Sequence, residues 1–359
     1  SAKVYFRRVI DLNVNNFRGY NQMGLMFGEM KQFDSSQYYY KKAMELSPGS
    51  TIVLNNLGLN FLQQKNYDSA SSYFKRIIQL APDNPQANSN LGLVFYNMQQ
   101  FDSARSYYMR ALKIKPDLSS ALSNMGLLLT KTNSYDEAKA LFRSVLENNP
   151  ANPTALRNLE YVFKQQHEYD SAVSVYQWVL NQGIENPELF ISLGLLYNEQ
   201  EKFNLAIESF SKAFEKNPGY ARALYNIGFV YTQLKQNDSA ASYYKKALAI
   251  DPGYFNAALN IGFTYIDMSQ YDSSLVYLKK AVLLNPSYSG TYYYLARSFA
   301  QINKHEDAIL YLRQALERGY NNYEYIMLEP DLAPIRKYPD FKNMMKKFFP
   351  KKYREQDDQ

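Results

Sequence analysis

The sequence predicts an all-α solenoid of stacked antiparallel helix pairs, one pair per 34 residues. Three observations carry this. Prolines fall at Pro48, Pro82, Pro116, Pro150, Pro218, Pro252 and Pro286, each 34 residues from the next apart from one step of 68. Glycine recurs with the same period (Gly58, Gly92, Gly126, Gly194, Gly228, Gly262), and so does alanine (Ala70, Ala104, Ala138, Ala172, Ala206, Ala240, Ala308). Short motifs of the type YDSA, FDSA or YDEA recur between those two rows. A period of 20–50 residues marks an array of supersecondary units, each burying its apolar face against its neighbours.

Aligned on the prolines, the chain divides into nine units starting at Phe17, Thr51, Pro85, Ser119, Pro153, Pro187, Ala221, Phe255 and Ser289. Glycine inside a helix costs about 1 kcal/mol against alanine, so a recurrent one implies close helix approach. The alanine row is the matching small surface on the second helix. Aromatics at fixed offsets (Phe61, Phe95, Tyr197, Tyr231, Tyr265; Phe74, Tyr108, Phe142, Tyr176, Phe210, Tyr244) fill the space between layers. The aspartates Asp34, Asp68, Asp102, Asp136, Asp170, Asp238 and Asp272 are expected to open the second helices, accepting from unpaired amides and complementing the dipole. Residues 1–16 align with a second helix, Ala2, Phe6 and Val9 taking its small, aromatic and apolar offsets. The chain thus starts in mid-hairpin, and a longer parent protein is expected. Residues 323–359 lose the repeat and are expected to form capping helices and a basic tail.

Composition excludes several function classes. The chain has 359 residues, no cysteine and two histidines. Disulfides, thiolate catalysis and cysteine-based metal sites are therefore absent, although a cysteine-free chain assigns no compartment. No apolar run approaches the ~18 residues of a membrane span. Of the net charge of +6, the stretch Arg336–Gln359 holds eight Lys/Arg against four Asp/Glu. The body lacks the basic stripe of a nucleic-acid binder, and the tail lysines Lys342, Lys346, Lys347, Lys351 and Lys352, with Arg354, read as a solvated helix face. His167 and His305 fall in loops of different repeats, too far apart to share a ligand. With no phosphate-cradling glycine loop and no Gly-x-Ser-x-Gly elbow, the chain reads as a non-enzyme without cofactor or metal.

The unit QANSNLGLVFYNMQQFDSARSYYMRALKIKPDL resembles the tetratricopeptide repeat family at Leu91, Gly92, Phe95, Ala104, Tyr108, Ala111 and Pro116. The resemblance implies a right-handed superhelix whose first helices line a concave groove and whose second helices form the convex back. It also implies a protein-binding scaffold that takes a partner protein or extended peptide. The residue before the Leu-Gly pair would point into the groove: Gln22, Asn56, Asn90, Asn124, Asn158, Ser192, Asn226, Asn260 and Tyr294. An asparagine carries one acceptor and two donors and can pair with a peptide backbone. Three offsets further on the groove is apolar, at Leu25, Leu59, Leu93, Leu127, Leu195, Phe229 and Phe263. These asparagines and apolar residues are the candidate binding residues. The carboxylate-gripping co-chaperone subclass is excluded, because its cationic offsets hold Asn21, Asn55, Leu25 and Leu59.

Two repeats depart from the pattern. Repeat five has Glu160 for the packing glycine, Gly183 for the terminal proline, and Trp178, the only tryptophan, where others carry Lys or Arg. Trp178 is either a cover for a wider interhelical gap or a convex-face contact for a partner, and a change of superhelical curvature is expected there. Repeat nine places Tyr294 and Arg297 at groove offsets, a hot-spot composition. The closing YEYIMLEPDLAPIRKYPDFKNMMKKFF resembles the segment that often caps such arrays. The Lys-, Asn- and Tyr-rich composition with YDSA loops loosely resembles Bacteroidota envelope and secretion repeat proteins. An assembly scaffold is the leading reading; the alternative is the substrate-recognition arm of an enzyme whose catalytic domain lies outside this sequence.

Overall fold

Several first helices begin where a side chain closes an unpaired amide. The computed structural model describes residue 10 and residues 14–352. The offsets read at Ala2, Phe6 and Val9, and Arg354 of the basic tail, lie outside the described residues. The first helices are α1 (Phe17–Glu29), α3 (Thr51–Gln63), α5 (Pro85–Asn97), α7 (Ser119–Lys131), α9 (Pro153–Gln165), α11 (Pro187–Glu199), α13 (Ala221–Gln233), α15 (Phe255–Asp267) and α17 (Ser289–Gln301). Asn84, Asn152 and Asn186 cap α5, α9 and α11 by accepting from backbone N–H groups, and proline follows each at the first helical position. Proline costs nothing there, since its missing N–H would have no helical partner.

The second helices are α2 (Phe33–Leu46), α4 (Tyr67–Leu80), α6 (Phe101–Ile114), α8 (Tyr135–Asn148), α10 (Tyr169–Asn181), α12 (Phe203–Lys216), α14 (Asn237–Ile250), α16 (Tyr271–Leu284) and α18 (His305–Glu317). Here the structure corrects a detail of the sequence reading. The recurrent aspartates sit one residue inside the helix, not at its cap, and complement the dipole from the first turn. His305 likewise is the first residue of α18 and not a loop residue, its ring 5.0 Å from that of Tyr338.

The loop between the two helices of a pair turns on one left-handed residue. Lys31, Lys65, Gln99, Asn133, His167, Glu201, Lys235, Ser269 and Asn303 all have φ between 56° and 62°. That conformation costs a side-chain-bearing residue roughly 1–2 kcal/mol. The following amide offsets this by reaching back to an orphan helical carbonyl, as in Gln100 N–H to Phe95 O at 2.9 Å and Gln236 N–H to Tyr231 O at 2.9 Å. His167 is thereby accounted for as a turn residue.

Packing within a pair is a knob in a glycine hole. A Cβ on Gly92 would lie 2.6 Å from the Tyr108 ring, and one on Gly58 the same distance from the Phe74 ring. Tyr108, Phe74, Ala104 and Ala70 are fully buried. A second aromatic layer stacks across the pair: Phe61 on Tyr73, Phe95 on Tyr107, Tyr231 on Tyr243, Tyr265 on Tyr277 and Phe299 on Tyr311, at 5.1–5.8 Å between centroids. Each such stack contributes about 0.5–1.5 kcal/mol beyond burial. Lysines of the preceding repeat lie over several of these rings, Lys75 over Phe95 and Lys279 over Phe299 among them.

Two compact units divide the chain, residues 1–184 and 185–359, and each is described by itself. In the first, repeat five replaces the glycine hole with a hydrogen bond: the Tyr176 hydroxyl donates to Glu160 Oε2 at 2.5 Å. Helices α9 and α10 pack less closely than the other pairs, and just beyond the end of α10 stands Gly183, whose φ of +79° needs glycine.

In the second unit, α19 (Tyr323–Leu328) starts a further repeat that Pro330 ends. A 3₁₀ turn (Pro330–Leu332), α20 (Ala333–Arg336) and α21 (Pro339–Phe348) then fold back over repeat nine. Leu332, Ile335, Phe341, Met344 and Met345 join Tyr293, Phe299 and Leu312 in one core. Among the described residues no helix is long and apolar enough to cross a membrane.

Candidate partner-binding groove faces

The 34-residue period brings equivalent residues of successive first helices side by side, so each groove offset becomes a row. The apolar row in the first unit is Leu25, Leu59, Leu93 and Leu127, all half-buried. It continues at Tyr161, which is 54% exposed. Tyr161 has the offset of the four leucines and of Phe229 and Phe263, so the 34-residue period alone carries it into the row. In the second unit the row is Leu195, Phe229 and Phe263, with Phe229 42% exposed and Phe263 half-buried, its ring 5.4 Å from that of Tyr294.

The asparagine row sits beside the apolar one, but much of its hydrogen bonding turns inward. Asn56 Nδ2 donates to Asn21 Oδ1 at 2.9 Å, Asn90 Nδ2 to Asn55 Oδ1 at 2.7 Å, and Asn124 Nδ2 to Ser89 Oγ at 3.5 Å. In the second unit Asn260 Nδ2 donates to the Tyr225 hydroxyl at 3.1 Å. Each bond spans 35 residues and joins one first helix to the first helix of the preceding repeat. The row thus staples repeats together and commits one N–H of each residue. Two members break the series: Asn158 Nδ2 and Asn226 Nδ2 are buried and without a hydrogen-bond partner. For Asn226 the cause is plain, because the residue 35 positions back is Ile191, which offers no acceptor side chain.

Repeat nine departs from the groove reading. Arg297 is 8% exposed and belongs to the chain's own closing segment. Its Nε and one terminal nitrogen donate to Asp331 Oδ2 at 3.1 and 2.7 Å, and it lies 3.4 Å from Glu329. Tyr271 donates to Asp331 Oδ1, Gln301 to the Asp331 carbonyl, and Tyr293 to Glu329 Oε2. Tyr294 is half-buried under the Arg297 guanidinium. This is a correction: an arginine amid tyrosines has a hot-spot composition, but two acidic residues 32 and 34 positions downstream take it first. Burial raises the Tyr293 hydroxyl's pKa far above its usual range, with Glu329 adding to the effect. Burial also holds Asp267 above the ordinary carboxylate range, Arg297 pulling the other way.

On the convex side, Trp178 is 37% exposed and lines a cleft with Arg143, Leu146, Glu147 and Val175 between α8 and α10. Repeat five has Val175 where most repeats place the stacking tyrosine, so the cleft marks missing bulk.

Family models described as tetratricopeptide repeat match residues 17–50, 61–125, 119–152, 221–254 and 259–323, and one described as TPR repeat matches 194–235. The chain is a tetratricopeptide repeat protein. Tetratricopeptide arrays are protein-interaction scaffolds, generally non-catalytic, that bind proteins or peptides, and this chain has that architecture. Among solved structures, MamA is similar at 24% identity over 44% of this chain and 91% of that one, with a TM-score of 0.41. A tetratricopeptide repeat protein from Parabacteroides merdae ATCC 43184 is similar at 19% identity over 69% and 98%, with a TM-score of 0.44. The APC/C hetero-tetramer Cut9-Hcn1 is similar at 16% identity over 83% and 59%, also with a TM-score of 0.44. A sequence search of curated proteins gives no match.

Proposed function

We propose that the chain is a non-catalytic assembly scaffold whose groove faces hold an extended segment of a partner protein. The observation that carries this is the apolar row on the first helices: Leu59, Leu93, Leu127 and Tyr161 in one unit, Leu195, Phe229 and Phe263 in the other. Water-facing apolar side chains in line, one per repeat, suit a ligand presenting spaced hydrophobic side chains. The asparagine row beside it supplies the remaining amide N–H and carbonyl groups that extended backbone requires. No charge lies in the row, which favours a neutral segment over a C-terminal carboxylate.

A photo-crosslinking amino acid placed at Leu93 or at Phe229 of the full chain tests it, with Met109 on second helix α6, 58% exposed, as the control position. Crosslinks from Leu93 and from Phe229 should each map to an extended segment of a partner in extract of the native source. Crosslinks to a partner from Met109 alone would place binding on the second helices and refute the groove reading.

A further inference from the structure

One stretch of the first unit's groove face is built differently from the rest. Across α5, α7 and α9 lies a cleft of about 400 Å³, lined by Tyr96, Tyr135, Tyr161 and Leu127. It opens where the leucine row gives way to tyrosine. Its lining includes Asn158, whose Nδ2 is buried without an acceptor. Its counterparts Asn56 and Asn90 are stapled to the preceding repeat at 2.9 and 2.7 Å; Asn158 makes no such bond. Lys131 lines the same cleft, is exposed, and has no carboxylate partner among the described residues.

These features ask for complementary groups. Three aromatic rings and a leucine gain most from one bulky apolar side chain. An unpaired ammonium at the edge attracts a carboxylate and discriminates against a cation. We propose that this cleft is the anchor point of the groove, and that it takes an extended peptide in which Leu, Met or Phe lies next to Asp or Glu. The apolar side chain enters between Tyr96 and Tyr161, and the acidic side chain lies against Lys131. This rests on the reading of the groove as the docking face and names the chemistry of its ligand.

The test pans a phage-displayed library of random peptides against the full chain. Enriched peptides are then synthesised with a fluorophore and titrated by anisotropy. The enriched set should share a bulky apolar residue adjacent to an acidic one. Tyr161→Ala and Lys131→Glu, both at exposed positions and checked for folding by circular dichroism, should each weaken binding by roughly tenfold or more. Changing the peptide's acid to lysine should restore binding to Lys131→Glu, which a merely structural effect would not do. Met109→Ala should bind like the parent chain. Enriched peptides that ignore Tyr161→Ala and Lys131→Glu yet lose affinity in Leu59→Ala would overturn the anchor while leaving the groove reading intact. Peptides indifferent to every groove substitution would overturn both.

Discussion

Two asparagines at the same offset should respond oppositely to the same substitution. Asn90 donates to Asn55 Oδ1 at 2.7 Å and accepts from Gln86 Nε2 at 3.1 Å, and it is 5% exposed. Asn226 is 9% exposed, and its Nδ2 has no partner. Leucine is close in shape to asparagine, and volume-conserving swaps in a core usually cost under ~1.5 kcal/mol. In Asn90→Leu, two hydrogen bonds worth about 0.5–1.5 kcal/mol each disappear, and Asn55 keeps a carbonyl without its donor. A loss of about 2 kcal/mol follows. In Asn226→Leu no hydrogen bond of Nδ2 is lost, and the removed buried donor had cost about 1–3 kcal/mol. After some repacking, a gain of about 1 kcal/mol follows. Urea unfolding followed by far-UV circular dichroism measures both. Repeat arrays unfold in steps set by neighbour contacts, so amide exchange in α5 and α13 should locate each change. Equal destabilisation by the two substitutions would refute the idea that the 35-residue hydrogen bond decides the role of this row.

Gly92→Ala forces a Cβ to 2.6 Å from the Tyr108 ring and should lose about 1–3 kcal/mol by overpacking. By contrast a Cβ on Gly28 comes no nearer than 3.3 Å, to Ser36 Oγ. Ser36 Oγ is held there by donating to Gly24 O and accepting from Asn60 Nδ2, so Gly28→Ala should cost less than Gly92→Ala without adding stability, and thermal melts of the pair check the contrast. Arg297→Met strands Glu329 and Asp331 beside an apolar core; breaking such a pair costs about 3–5 kcal/mol. Amide exchange should then quicken in α20 and α21 before α17, and adding Asp331→Leu should recover part of the loss. Burial pushes the hydroxyls of Tyr40, Tyr244, Tyr254 and Tyr320 up to about 12, from an ordinary value of 10.0. A raised folded-state value means their contribution to stability is complete below pH 10 and declines as pH rises toward 12. Tyrosinate absorbance should show a late-titrating population that ionises together with loss of helix. Titration of every tyrosine near 10 with the helices intact would contradict it.

What the sequence by itself determined is the part governed by period. Proline, glycine and alanine at intervals of 34 encode the helix pairs and the glycine holes, because those constraints are local or lie between neighbours one repeat apart. The leucine row was legible for the same reason, and Tyr161 belonged to it by offset alone. The fate of polar groups was another matter. Asn90 and Asn226 are identical in sequence context, each before a Leu-Gly or Ile-Gly pair, yet one is a staple and the other an orphan. The difference lies 35 residues upstream, in Asn55 against Ile191. Arg297 looked like a surface anchor until the fold brought Asp331 to 2.7 Å. Hydrogen bonds and ion pairs are short-ranged and directional, so they depend on which side chains meet across helices. Apolar burial is not directional, and its pattern can be read along the chain. Tertiary structure alone decided which asparagines are committed, where Arg297 points, and that an unsatisfied donor stands beside three tyrosines in the groove.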